Sequence, residues 1–163
     1  SSYLVTRSVK RIEYHRAQNT PFFAATVNGN LDMVSTPCPC GSVKTYSRCC
    51  GPFHGGLGSP RTARQLMRSR YSAYALGGLG QYLIDTWHPS ARADLDPIEL
   101  SKPGQNWLGL EIVSASQQGD SAEVEFKARF KDADGVTQLH HERSTFSRIE
   151  GKWLYLSGDV FSP

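Results

Sequence analysis

Four cysteines fall within thirteen residues of this chain, in the order Cys38-Pro-Cys40, eight intervening residues, then Cys49-Cys50. Nothing else in the sequence restricts the local fold so strongly. Zinc takes four soft ligands in a tetrahedron, and these thiols converge on one ion only if the chain turns back between the pairs. Gly41-Ser42 supplies that turn, and the amides after Cys40 are placed to donate to thiolate sulfur. The alternative is two disulfides, such as Cys38 with Cys49 and Cys40 with Cys50, while a bridge between adjacent Cys49 and Cys50 would be strained. Such bridges would leave no cysteine to staple the remaining chain, whereas a secreted scaffold distributes its cysteines more widely. The reading adopted is therefore a zinc knuckle with Cys38, Cys40, Cys49 and Cys50 as ligands, and His54 as the possible replacement for Cys50. A closed tetrathiolate keeps no open coordination position, so Zn2+ would be structural rather than catalytic.

The rest of the chain has ordinary globular content, 39% hydrophobic and 20% charged over 163 residues, which excludes disorder throughout. The formal charge of +3 is unevenly spread. Between residues 33 and 84 stand Lys44, Arg48, Arg61, Arg64, Arg68 and Arg70 with no Asp or Glu. A zinc tetrathiolate carries a formal charge of minus two, which that surplus would offset; the competing reading is an anionic partner such as nucleic acid, with Tyr46 and Phe53 interleaved. No apolar run reaches the roughly 18 residues of a membrane span. The basic Arg7, Lys10, Arg11 and Arg16 before the short apolar Pro21 to Val27 only imitate a secretory leader. A cytoplasmic location is expected.

Residues 1 to 35 lack sustained periodicity and read as a mobile extension; 36 to 59 form the knuckle and a glycine-rich linker; 60 to 163 form the main domain. Ser59-Pro60 reads as a helix entry, followed by Ala63, Leu66, Met67, Tyr71, Tyr74 and Ala75 at helical spacing and a stop at Gly77-Gly78. A second short helix is expected over about 81 to 87, ended by Pro89, and a third around 91 to 100 is disfavoured by Pro97. Beyond Lys102-Pro103-Gly104 the period changes to two. Ala122, Val124, Phe126, Ala128 and Phe130 alternate with Glu123, Glu125, Lys127 and Arg129, the pattern of a half-buried antiparallel strand. Further strands are predicted at about 106 to 116, 137 to 149 and 152 to 160, joined by turns at Gly119, Gly135 and Gly151. Helices followed by hairpin-linked strands make an α+β domain with the helices on one face of a curved sheet.

The run Cys38-Pro-Cys-Gly-Ser-Val-Lys-Thr-Tyr-Ser-Arg-Cys-Cys-Gly51 resembles the SEC-C motif. Leu66-Met-Arg-Ser-Arg-Tyr-Ser-Ala-Tyr74, Tyr82-Leu-Ile-Asp-Thr-Trp-His-Pro-Ser90, Trp107-Leu-Gly-Leu110, Ala128-Arg-Phe130 and Glu142-Arg-Ser-Thr-Phe146 resemble the bacterial YchJ-like family. The resemblance covers residues 36 to about 159. It implies the cone-shaped fold of the nuclear transport factor 2 superfamily for residues 60 to 160, and a zinc-ligand role for each of the four cysteines.

Cones of this kind often hold a pocket between helices and sheet, some for catalysis and some for binding alone. Candidate lining groups are Tyr71, Trp87, His88, Arg129, Glu142 and Arg143. Glu142 and Arg143 point to opposite faces of their strand, so one of them at most faces the pocket. A buried salt bridge from Glu142 to Arg129 or Arg70 would be structural, and Trp107 and Trp153 are expected in the core. No phosphate loop, nucleophile elbow or metal-hydrolase motif is present. The function expected is a non-enzymatic binding protein, whose knuckle docks on a protein or ribonucleoprotein partner and whose cone receives a small ligand. The alternative is a small-molecule enzyme using His88 with Glu142 or Asp159 for proton transfer.

Overall fold

The computed structural model describes residues 36–102 and 105–162. The extension expected over residues 1 to 35 and the Pro103-Gly104 turn lie outside the described residues. The order of elements is a 3-10 turn at Tyr46–Arg48, α1 (Gly51–His54), α2 (Ala63–Leu76), α3 (Gly80–Asp85), a 3-10 turn at Pro89–Ala91, α4 (Pro97–Ser101), then β1 (Asn106–Gln118), β2 (Ser121–Lys131), β3 (Thr137–Ile149) and β4 (Lys152–Val160). This is an α+β architecture with the helices first. No helix among the described residues is long and apolar enough to cross a membrane.

Helix α2 begins later than the Ser59-Pro60 signal indicates. Thr62 is its cap, its hydroxyl accepting the Gln65 N–H at 3.1 Å, while the Gln65 side chain reaches back to the Arg61 amide at 2.8 Å. The Thr62 hydroxyl thereby satisfies one of the free N–H groups of the first turn, and the Gln65 side chain satisfies the amide that precedes the cap. Gly77, with φ of 70°, ends the helix. Pro97 also acts differently from expectation. It opens α4 at the first helical position, where its missing N–H is harmless, and Asp96 caps the turn by accepting the Ile98 N–H at 2.8 Å. Helices α3 and α4 cross closely at Gly80, where an added Cβ would collide with the Pro97 carbonyl.

The four strands form one antiparallel meander in the order β1-β2-β3-β4. In β2 the alternation appears as expected: Ala122, Val124, Phe126 and Ala128 are buried, and Glu123 and Arg129 face solvent. Cross-strand pairing carries that face into β3, since Ala122 stands opposite Phe146, Val124 opposite Ser144 and Phe126 opposite Glu142. Phe146 in turn pairs with Tyr155 of β4 across a bulge at Thr145/Phe146. Bulges at Trp107/Gly109 and Ile112/Ser114 interrupt the long pairing of β1 with β2, the device by which a sheet bends.

Helix α2 packs on the inner face against β1, β2 and β4. One buried cluster joins Ala63, Leu66, Met67 and Tyr71 of α2 to Val124, Phe126, Phe146, Trp153 and Tyr155 of the sheet. The same cluster contains Cys38, Cys40 and Cys50. The cysteine loop is thus seated on the outer side of α2 and shares the core of the cone. Three contacts tie it there: Arg68 Nη1 donates to the Cys40 carbonyl at 2.6 Å, His54 Nε2 meets the Ser69 carbonyl at 2.8 Å, and Cys38 Sγ lies 3.7 Å from Ser72 Oγ.

Candidate metal centre and cavity

The cysteine loop doubles back through an isolated bridge between Pro37 and Thr45, with the Cys38 amide donating to the Lys44 carbonyl at 2.9 Å. Gly41 turns the chain at φ of 74°. The consequence is a closed quartet, in which the four sulfur atoms all lie within 4.8 Å of one another. Cys40 and Cys49 sulfurs are 3.5 Å apart and those of Cys49 and Cys50 3.9 Å. Four sulfurs each about 2.3 Å from one tetrahedral ion stand about 3.8 Å from each other, so the quartet fits a single metal. A disulfide needs about 2.05 Å, and all four cysteines are free.

Hydroxyl groups support the sulfurs. Ser42 Oγ lies 3.0 Å from Cys49 Sγ, and Ser72 Oγ donates to Cys50 Sγ at 3.4 Å. Ser72 comes from α2, so a reading of the loop alone does not include it. His54 is not a ligand. Its Nδ1 meets Tyr46 Oη at 2.6 Å and its Nε2 the Ser69 carbonyl, so both ring nitrogens are committed, and burial lowers its pKa, favouring the neutral ring. The thiols themselves are unevenly poised. Hydrogen bonds from the Cys38 and Cys50 thiols hold Cys40 far below the usual thiol range. The Cys38 contact and burial push Cys50 up, and burial raises Cys49. One negative charge suppresses the next in so tight a cluster, and a divalent cation is what would release the remaining protons.

On the far side of α2 lies a cavity of about 110 Å³ open to the centres of water molecules. Its walls are mainly apolar, including Met67, Tyr71, Trp87, Trp107, Phe126 and Tyr155, and its polar groups include Arg70, His140, Glu142 and Ser144. Tyr71, Trp87 and Glu142 therefore stand together there. His88, Arg129 and Arg143 do not. His88 turns away to bond Ser90, with Nδ1 2.6 Å from the serine hydroxyl. Arg129 and Arg143 are exposed on the outer face, where Arg143 reaches Glu125 at 3.4 Å. Asp159 pairs opposite Arg143 and is exposed as well. Trp153 is buried in the core as expected, its Nε1 donating to the Arg61 carbonyl at 3.2 Å. Trp107 is only half-buried and forms cavity wall, edge-on to Tyr71.

Glu142 makes no salt bridge with Arg129 or Arg70; its partners are neutral hydroxyls and a histidine. Its Oε1 accepts from Ser144 Oγ at 2.8 Å and Tyr155 Oη at 2.9 Å, and its Oε2 from His140 Nε2 at 2.7 Å. Burial opposes the charged carboxylate, but these donors outweigh it and hold Glu142 below the ordinary Glu range. The opposite holds for Tyr155, whose phenol is pushed well up by burial and by the Glu142 charge. Tyr71 is likewise pushed up to about 12, by burial first. Chemically, a carboxylate that fixes the Nε2–H of a cavity histidine makes a pair able to position or move a proton. That histidine is His140 rather than His88. The sequence carried the signal: residues two apart on a strand share a face, so Glu142 brings His140 and Ser144 with it.

Arg70 was expected in the basic strip and as a possible Glu142 partner, yet it is the buried cation of the cavity, 3% exposed. Its Nη1 donates to the Leu83 carbonyl and to Thr86 Oγ1, both at 2.7 Å. Its guanidinium carbon lies 4.7 and 4.8 Å from the centroids of Trp87 and Tyr155, against the corner where those two rings meet edge to face. The basic strip is accordingly not one surface. Arg70 turns inward and Arg68 is tied to Cys40, which leaves Lys44, Arg48, Arg61 and Arg64 exposed.

A bent antiparallel meander with helices across its inner face, and a closed cysteine quartet set against the first long helix, defines a nuclear-transport-factor-2-like cone fused to a metal-binding knuckle. The comparisons agree. The SEC-C motif matches residues 35–52, and the family described as YchJ, middle NTF2-like domain, matches residues 62–158. UPF0225 protein RSc0270 of Ralstonia nicotianae is 47% identical over 133 residues, covering 76% of this chain and 90% of that protein. UPF0225 protein SCO1677 of Streptomyces coelicolor is 41% identical over 133 residues, covering 78% and 98%. The solution structure of RPA3114, a SEC-C motif containing protein from Rhodopseudomonas palustris, matches with a TM-score of 0.71 at 38% identity, covering 77% of this chain and 98% of that one. The chain belongs to the YchJ-like UPF0225 family.

Proposed function

We propose that this is a zinc-stabilised binding protein of the cytoplasm, in which one structural Zn2+ holds the cysteine loop against α2 and the cone receives a small organic ligand. Zinc is favoured over other metals by the tetrahedral, all-thiolate donor set. The observation that carries the ligand reading is the pair of buried charges, Arg70 at 3% and Glu142 at 4% exposure, kept in one cavity without pairing with each other. Apolar side chains of similar volume would stabilise the cone at least as well, so a purely structural cavity gives no reason to keep both charges. Native mass spectrometry of gently purified protein is expected to show the chain, one zinc and a small organic species that leaves on activation. A chain carrying zinc alone, in every preparation and without any stabilising small molecule in a thermal screen, would count against the ligand.

A second reading, docking of the knuckle on an acidic protein or ribonucleoprotein, is supported by Val43. This β-branched residue is fully exposed and held at φ of 61°, between Ser42 and the exposed Lys44. A left-handed valine in water is unfavourable twice over, which suits a contact residue better than a structural one. Val43→Asn is expected to raise Tm slightly by relieving the backbone while reducing low-salt co-sedimentation with ribonucleoprotein particles. Unchanged co-sedimentation would exclude Val43 as the contact.

A further inference from the structure

The guanidinium of Arg70 is only half used. Both Nη1 hydrogens are spent on the Leu83 carbonyl and Thr86 Oγ1, and Thr86 is itself fixed by donating to the Tyr82 carbonyl at 2.8 Å. Nε and Nη2 have no hydrogen-bond partner among the described residues, and no buried side-chain nitrogen or oxygen there is both sealed and unpaired. Those two nitrogens are therefore open to the cavity that Arg70 lines. In a planar guanidinium, Nε–H and the adjacent Nη2–H lie on the same edge and point the same way, at a spacing that matches two oxygens of one carboxylate. The two hydrogen bonds from Nη1, with the Trp87 and Tyr155 rings packed against the group, stop the plane from rotating.

We infer that the Nε–Nη2 edge of Arg70 is an anchor for a small organic carboxylate with a flat apolar body, bound in the cone with that body against Tyr71, Trp107 and Phe126. This rests on the reading that the cone binds a small ligand, and it names the ligand's class and the group that holds it. The cavity's chemistry favours a monoanion over a phosphate or phosphonate. Its walls are mainly aromatic, one edge of one guanidinium offers two parallel donors, the other lining cation, Lys102, is paired with Glu99, and the ionised Glu142 in the same cavity repels a second negative charge. Glu142 does not itself compete for the edge, because its oxygens are engaged by His140, Ser144 and Tyr155. The acceptor nitrogen of His140 is a second polar feature of the wall. With Nε2–H given to Glu142, its Nδ1 has no partner among the described residues.

The test uses the full chain with three probes of similar shape: benzoate, benzamide and phenylphosphonate. Binding is followed by calorimetry and by the Arg70 Nε–H signal in nitrogen-15 NMR. Benzoate is expected to bind at least tenfold more tightly than benzamide and phenylphosphonate and to shift the Nε–H signal, with Arg70→Lys weakening benzoate at least tenfold while Tm shows the chain still folded. Benzamide binding as well as benzoate, with the Nε–H signal unmoved, would overturn the carboxylate anchor while leaving the cone a ligand site. Phenylphosphonate binding more tightly than benzoate would also overturn it. Absence of any shift in cavity resonances with all three would count against both the anchor and the ligand reading. Should Arg70→Lys fail to fold, the wild-type ranking with its Nε–H readout decides alone.

Discussion

Replacing Cys50 by serine, or stripping the metal from the wild type with a strong chelator, is expected to lower the melting temperature of the whole chain. The reason is where the sulfurs sit. Cys38, Cys40 and Cys50 belong to the buried cluster that also holds Leu66, Met67, Tyr71, Phe146 and Trp153. Losing the quartet therefore exposes one side of α2, the helix whose other side carries Arg70 and the cavity. Zinc binding contributes on the order of 10 kcal/mol to isolated knuckle peptides. Even half of that, transmitted to the cone, amounts to about 5 kcal/mol, or a fall of roughly 10 °C or more in Tm. Hydrogen exchange should then accelerate along α2 as well as in the loop. Acceleration confined to residues 36 to 50 at an unchanged Tm would mean that the knuckle is an independent appendage.

Gly158→Ala is expected to cost about 3 kcal/mol or more, although alanine is ordinarily welcome in extended backbone. Gly158 stands opposite Ser144 in the sheet, and a Cβ there would drive into the Glu142 carboxylate and crowd the Tyr155 hydroxyl. The carboxylate would be forced off its three donors, leaving buried polar groups unpaired. The pH dependence supplies a second signature. Glu142 is held below its ordinary value of 4.5 in the folded chain, so its contribution is fully present above that pH. On acidification the unfolded chain takes up the proton first, and the contribution is lost as pH falls through the native pKa. In Gly158→Ala that part of the acid limb should flatten. Gly58→Ala is the control, because nothing lies within 4 Å of a Cβ there and its φ is not positive; equal losses at both sites would remove the Glu142 cradle from the explanation.

The fold was largely legible because its strongest elements each have a single buried face. In β2 five apolar residues at alternate positions leave only one way to lay the strand on a core, and the turns at Gly119, Gly135 and Gly151 all occur at positive φ. The cysteine spacing was equally informative, since thirteen residues cannot bring four sulfurs within 4.8 Å except as a closed knot. The cavity was harder to read for a specific reason. Strand parity tells which residues share a face and stays silent about which face is inward, so Glu142 and Arg143 were equivalent candidates until the helices were placed over one side. Arg129 and Arg143 then fell outside.

Arg70 was legible in principle. It lies three residues after Met67 and four after Leu66, inside the apolar stripe of α2, and a charge in that stripe is a reason to look for a buried site. His88 drew attention through its place before a helix-ending proline, which is a local feature. His140 acquires its role only from its neighbours across the sheet and from Glu142 two positions on. Helix ends are hard to read for the same reason: Ser59-Pro60 and Pro97 are local signals, whereas Thr62 with Gln65 and Asp96 decide where the helices begin.

The central claim, that one zinc ion bound by four sulfurs is part of the cone's own core, is met most directly by zinc K-edge absorption on reduced, freshly purified protein. One zinc per chain, surrounded by four sulfurs at about 2.3 Å, is expected. A shell containing nitrogen or oxygen, or protein that is fully folded without any metal, would contradict it.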